Sequence, residues 1–243
     1  MKHHSSKLFA ALLACAASAG ALAQNAPAAA PSFKINVTGT IAPGSCTPAS
    51  GDLTFDMKSI NPKSLNNDKV TMLSAIPNKI KITCTADTAI ALNVTGYTKA
   101  SKAYGSNMEH PSGTKTETHS LYDLVNPADG NSPVGVYAMQ FRNFQYTGNG
   151  VGAVTTKADI IKSTDKSSWT NNADQTGWNN AQLAKDGSNY ISFADPKANT
   201  TPVLASTFEG ELILAPLILA KKDLRLTGDL KFEGGATITL NYL

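Results

Sequence analysis

Few residues in this 243-residue chain have the types and spacing that chemistry requires. His110 and His119 sit in a polar stretch, and a metal centre needs several His, Cys, Asp or Glu donors at fixed spacing. They read as solvated side chains. Ser163-Thr164-Asp165-Lys166 has the Ser-x-x-Lys form in which a lysine can activate a serine nucleophile. Neither Ser-Asp-Asn nor Lys-Thr-Gly accompanies it, so it reads as a chance match. Gly-x-Ser-x-Gly, a Walker-type phosphate loop and EF-hand spacing are all absent. Asp and Glu are too scattered to nominate a glycosidase pair. The sequence therefore nominates no catalytic residue, no metal ligand and no cofactor.

Two further features invite a binding role. Trp169 and Trp178 lie in an Asn-rich polar stretch, where their faces could stack on sugar rings. The preferred reading is that each covers a patch of core beneath a long loop. Asn36-Val37-Thr38, Asn93-Val94-Thr95 and Asn199-Thr200-Thr201 have the form of glycosylation triplets, short enough to arise by chance.

The first residues explain the compartment. Lys2 and Lys7 precede an apolar run from Leu8 to Ala19, and Ala21-Leu22-Ala23 offers a cleavage point before Gln24. Residues 1–23 thus read as a secretory signal, too short to span a membrane. Leu12-Leu13-Ala14-Cys15 is a competing lipoprotein-like site within it. Cleavage takes 21 basic residues to 19 against 18 acidic ones, a net of about +1, which argues against nucleic acid as a partner. It also leaves Cys46 and Cys84 as an even pair in an oxidising compartment, where a disulfide is the default and two free thiols the alternative.

The remaining pattern is that of strands. Charged residues are only 16% of the chain, as suits an exported β-protein. Phe33, Ile35, Val37 and Ile41 alternate with polar residues, as do Leu53, Phe55 and Met57. Ile80, Ile82 and Cys84 share one face of a predicted strand. Ile90, Leu92 and Val94 form the next, and their short connection predicts an antiparallel hairpin. Val134 to Tyr146 and the region of Ile191 and Phe193 are further strand candidates. Glu211 to Ala220 is the most apolar run; Pro216 predicts two strand halves joined at a bend that could serve both sheets. The stretch from about 97 to 202, rich in Gly, Asn, Ser and Thr, reads as a long loop-rich insertion. After Gly234-Gly235, Ile238, Leu240 and Tyr242 alternate with Thr237, Thr239 and Asn241 up to Leu243, giving the clearest strand of all, placed where most chains are poorly ordered.

In order, these landmarks resemble the chaperone–usher pilins: Gly39-Thr40-Ile41-Ala42-Pro43-Gly44-Ser45-Cys46, a second cysteine ending a strand at Cys84, and Ala236 to Leu243 closing on a penultimate Tyr. The run Leu212 to Leu219, split by Pro216 and followed at a distance by Tyr242-Leu243, is most similar to β-fimbrial subunits. The likeness covers roughly the first third and last quarter of the chain beyond residue 23, and departs from the pilin pattern at Leu230, where major pilins carry Gly.

What the resemblance implies is an all-β, immunoglobulin-like sandwich over residues 39–243 that lacks one strand, with a 24–38 extension ahead of it. It implies a non-enzymatic fimbrial subunit passed through the periplasm to the cell surface. Its partners would be a periplasmic chaperone, an outer-membrane usher and neighbouring subunits. Ile238, Leu240, Tyr242 and the Leu243 carboxylate would meet the chaperone. Phe33, Ile35 and Val37 are either donated to a neighbour or part of the chain's own first strand; donation is preferred, because the Ala- and Pro-rich leader before them would fill a groove poorly. A tip adhesin binding a host glycan and a free-standing secreted sandwich are the rival readings.

Overall fold

The computed structural model describes residues 34, 36, 38, 44–49, 51–102, 104, 111–112, 119–171, 178 and 182–243. Phe33, Ile35, Val37 and Ile41 lie outside these residues. The chain divides into two units, 1–41 and 42–243. In the first, Lys34, Asn36 and Thr38 are exposed and without regular secondary structure.

The second unit is all-β, with two antiparallel sheets arranged as a sandwich. Its strands are β1 (Cys46–Pro48), β2 (Thr71–Met72), β3 (Ile76–Thr88), β4 (Ile90–Gly96), β5 (Leu121–Asn126), β6 (Ser132–Thr147), β7 (Thr156–Lys157), β8 (Asp159–Ser163), β9 (Thr170–Asn171), β10 (Tyr190–Ala194), β11 (Ala205–Ile218) and β12 (Ala236–Tyr242). One sheet runs β1-β3-β11-β6-β5, with β2 added to β11 and β7 to β6; the other runs β12-β4-β10-β8-β9. Residues 97–202, read above as a loop-rich insertion, supply β5 to β10 and hence part of both sheets.

Period-two patterning places the core. Ile80, Ile82 and Cys84 of β3, Leu212 and Leu214 of β11 and Met139 and Phe141 of β6 share one cluster with Ile90, Leu92 and Val94 of β4 and Ile191 and Phe193 of β10. Aromatic rings fill its middle. Phe144 stacks on Phe193 at 4.4 Å between ring centres, and Phe193 meets Phe208 at 5.3 Å. Such offset contacts stabilise a core beyond the area they bury.

Two sequence expectations need correction. β3 and β4 are not a hairpin: β3 pairs with β1 and β11, while β4 pairs with β10 and β12. The connection at Ala89 carries the chain from one sheet to the other, so the apolar faces of the two strands meet across the core. Nor is the apolar run two half-strands serving both sheets. β11 passes unbroken through Pro216 and lies centrally in one sheet, between β3 and β6. Pro216 is tolerated because its C=O accepts from Leu73 N–H at 2.9 Å. Its nitrogen therefore faces the same side, between the end of β2 and the start of β3, where no ladder donor is needed.

The irregularities in β11 fall earlier, between Ala205 and Thr207 opposite β3 and between Glu209 and Glu211 opposite β6. At the second, Asn143 takes a positive φ of 57°, and Phe144 turns its ring over Gly210. A Cβ at Gly210 would overlap that ring, which is itself clamped against Phe193. Gly210→Ala is therefore expected to destabilise the fold by about 1–3 kcal/mol. Urea unfolding should show a lower midpoint; an unchanged midpoint would mean that the Phe144 ring relaxes freely.

Candidate functional site

The second sheet has β12 at one edge and β9 at the other. Among the described residues, β12 has β4 as its only ladder partner, in register from Ala236 opposite Gly96 to Tyr242 opposite Ile90. Tyr97 N–H donates to Gly235 C=O, and Leu243 N–H donates to Ala89 C=O, each at 3.1 Å. Hydrogen-bonded and non-hydrogen-bonded pairs alternate along an antiparallel ladder. Thr237, Thr239 and Asn241 therefore turn their backbone groups toward β4. Ala236, Ile238, Leu240 and Tyr242 turn theirs toward the open edge. Side chains follow the same period: Ala236, Ile238 and Leu240 are half-buried against the core, while Thr237 and Thr239 are exposed.

Beyond that edge lies an apolar groove of about 1280 Å³. Ile80, Ile82, Leu92, Leu212 and Leu214 are among the core residues that line it, and Ile238 and Leu240 form one wall. The opposite wall is the segment 51–58. Leu53, Phe55 and Met57 are half-buried there, and Thr54, Asp56 and Lys58 are exposed. Residues 52–57 make no backbone–backbone hydrogen bond to any described residue. Asp56 accepts from Lys58 N–H at 2.8 Å and from its Nζ at 2.6 Å, which fixes the end of the wall. The Lys58 hydrogen bonds hold the Asp56 carboxyl below its ordinary range.

Each end of the groove is closed by a specific contact. At one end, Gly234 and Gly235 pass so close to Asp123, Leu124, Tyr137 and Tyr97 that a Cβ on either would collide with them. Glu233 and Val125 exchange backbone hydrogen bonds at 2.8 and 2.9 Å, holding that crossing to β5. Tyr137 stacks on Tyr122 at 5.2 Å, and burial pushes both hydroxyls well above the usual tyrosine range. At the other end, the Tyr242 hydroxyl accepts from Cys46 N–H at 2.9 Å, joining the edge strands of the two sheets. Cys46 is bonded to Cys84 as a disulfide.

Ile238 and Leu240 thus line the groove, Tyr242 ties the same strand to the Cys46–Cys84 pair, and Leu243 is exposed. Leu53, Phe55, Met57, Leu230 and Phe232 also line the groove, and the sequence does not mark them as site residues. The alternation of the first three was visible in the sequence, but not that it forms a wall without a ladder partner.

Other sequence candidates have local structural roles. Ser163 Oγ accepts from the N–H groups of Asp165 and Lys166 at 3.1 and 2.8 Å, closing a turn. The Asp165 carboxylate accepts from Ser167 and Ser168 N–H, each at 2.8 Å, and these bonds hold it far below the usual range. Trp178 packs on a small cluster of Leu121, Val136, Ala138 and Leu217. His110 lies outside the described residues. Among the described residues, no three His, Cys, Asp or Glu side chains gather as a metal site would require.

No family model matches the chain, and no curated protein matches it.

Proposed function

We propose that the groove accepts a β-strand from another chain, and that the protein is a structural subunit of a chaperone–usher fimbria assembled by donor-strand exchange. One observation carries this reading: the open edge of β12, with four residues' backbone groups unpaired by the ladder, overlooks an apolar groove. An added strand would hydrogen-bond to that edge while every second side chain filled the groove. Left empty, such an edge is an aggregation hazard, which gives a periplasmic chaperone its task. In this reading the fold is a pilin-type, immunoglobulin-like sandwich short of one strand.

The donor is the segment of Phe33, Ile35 and Val37, supplied by a neighbouring subunit. Its five residues extend about 16 Å, well within the length of a seven-residue edge. The subunit is exported through the periplasm, handed to an outer-membrane usher, and acts in surface attachment without catalysis.

Deletion of residues 24–37 tests this. The truncated subunit is expected to fold and co-purify with its chaperone but to stop fibre growth, since it can receive a strand and not give one. If the deletion prevents folding in the chaperone complex, Phe33 to Ile41 is the chain's own strand and donation is excluded. A truncated subunit that still extends fibres would exclude it equally.

A further inference from the structure

We infer that the two ends of the sandwich are complementary faces of a head-to-tail contact between copies of this chain, additional to strand exchange. The inference rests on the strand-exchange reading above and names a second surface that assembly would use.

Among the described residues, seven large apolar side chains are exposed: Met72, Tyr97, Val151, Val154, Leu204, Tyr242 and Leu243. Five of them surround one turn, Asp87 to Ala89. Val151 and Val154 belong to the β6–β7 connection, where Asn149 N–H donates to Asp87 Oδ1 at 2.6 Å. Leu204 precedes Ala205, which is in register with Thr88. Leu243 N–H donates to Ala89 C=O, and Tyr242 lies opposite Ile90. The other two face the opposite end of the sandwich. Tyr97, 69% exposed, follows the last residue of β4, and Met72, 58% exposed, is in register with Leu217 near the end of β11. Apolar surface concentrated at the two ends marks an end-to-end contact more than a lateral one.

Chain length fixes the occupant. The chain enters the sandwich at the five-residue end: Gly44 sits so close to Thr88 and Ala86 that it leaves no room for a Cβ. The stretch from Thr38 to Pro43 reaches at most about 22 Å. A neighbour that holds Phe33 to Val37 in its groove must therefore lie at this end, within that reach. Both sheets are antiparallel throughout, and antiparallel pairing is the more stable kind. An antiparallel seat along β12 puts Val37 at the Ala236 end of the groove, beside the neighbour's Tyr97. The Val151, Val154 and Leu204 face of one copy then meets the Met72 and Tyr97 face of the next. Because the two faces differ and lie at opposite ends of the sandwich, the contact is heterologous and repeats head to tail, as a filament requires.

The test compares two analytes on immobilised mature chain (residues 24–243): a synthetic peptide of residues 24–41, and the mature chain carrying Leu240→Asp, which can donate a strand but not receive one. The whole chain is expected to bind at least about tenfold tighter than the peptide. Val151→Ser, Val154→Ser and Leu204→Ser together in the analyte should remove that advantage. Met72→Ser in the immobilised chain should reduce it, and the combination should lose less than the sum, as groups in contact do. All these side chains are exposed, so the variants should keep the wild-type fold, and peptide affinity should not change. If the peptide binds but the whole chain binds no better, or the serine variants lose nothing, the end-to-end contact is overturned while strand exchange stands. If the peptide itself does not bind, strand exchange fails and this inference falls with it.

Discussion

Replacing Leu240 with Asp is expected to abolish strand capture, with affinity for a peptide of residues 24–41 reduced at least about a hundredfold. Leu240 is the residue where the two alternations coincide. Its side chain lines the groove, and its backbone faces the open edge. An arriving strand would have to strip water from a carboxylate at that point and offer it no partner, which costs several kcal/mol. The folded chain should tolerate the change better than capture does, because Leu240 is only half-buried before a strand arrives. Thr239→Asp is the matched control. Thr239 is exposed and turns its backbone to β4, so a charge there meets solvent and not the occupant. Calorimetric titration of the two variants, with co-purification of the chaperone as a second readout, separates the roles. Equal peptide binding by Leu240→Asp and the wild type would show that β12 is ordinary core and not a receiving edge. Adding Tyr242→Asp should weaken chaperone capture further, since it also removes the hydroxyl that holds Cys46 N–H.

The sequence reveals faces better than partners, and particular strands show why. In β12 and β3 one face is covered and the other is wet, so period two stands out, and Ile238, Leu240, Ile80, Ile82 and Cys84 are read correctly as inward. Periodicity says nothing about which strand lies alongside. In sequence, the short stretch between Thr85 and Ile90 reads as a hairpin turn as easily as a crossing between sheets, and only packing selects the crossing. β5 was missed for a different reason. Tyr122 and Leu124 face the main core, while Leu121 packs in the satellite cluster with Trp178 on the other side of the sheet. Buried on both faces, such a strand loses its alternation. β8 shows the same effect at Ile160 and Ile161, both fully buried. Within the site, the Gly234-Gly235 break was legible as a break, but the collision with Tyr97 and Tyr137 that requires it was not. That constraint comes from residues distant in the sequence.

Loss of the disulfide should have the largest effect on stability. Thr85 N–H donates to Ser45 C=O at 2.9 Å, so Ser45 and Thr85 are a hydrogen-bonded pair, and Cys46 and Cys84 beside them are a non-hydrogen-bonded one. Side chains approach most closely at such pairs. The bond closes a sequence separation of 38, for which loss of chain entropy in the unfolded state gives about 4 kcal/mol of stabilisation. Against a typical total of about 5–15 kcal/mol, that is a large share. β1 depends on it more than other strands do, being three residues long and bound to a single neighbour, β3. Cys46→Ala with Cys84→Ala is therefore expected to lower the urea midpoint by an amount equivalent to about 4 kcal/mol. Strand capture should weaken as well, because Cys46 N–H anchors the Tyr242 hydroxyl at one end of the groove. Tyr242→Phe distinguishes the two effects. It removes the hydroxyl and leaves the disulfide, so it should weaken capture with little change in the midpoint. A double-alanine chain within about 1 kcal/mol of wild-type stability would mean that β1 is held by its ladder and by Tyr242 without the covalent bond.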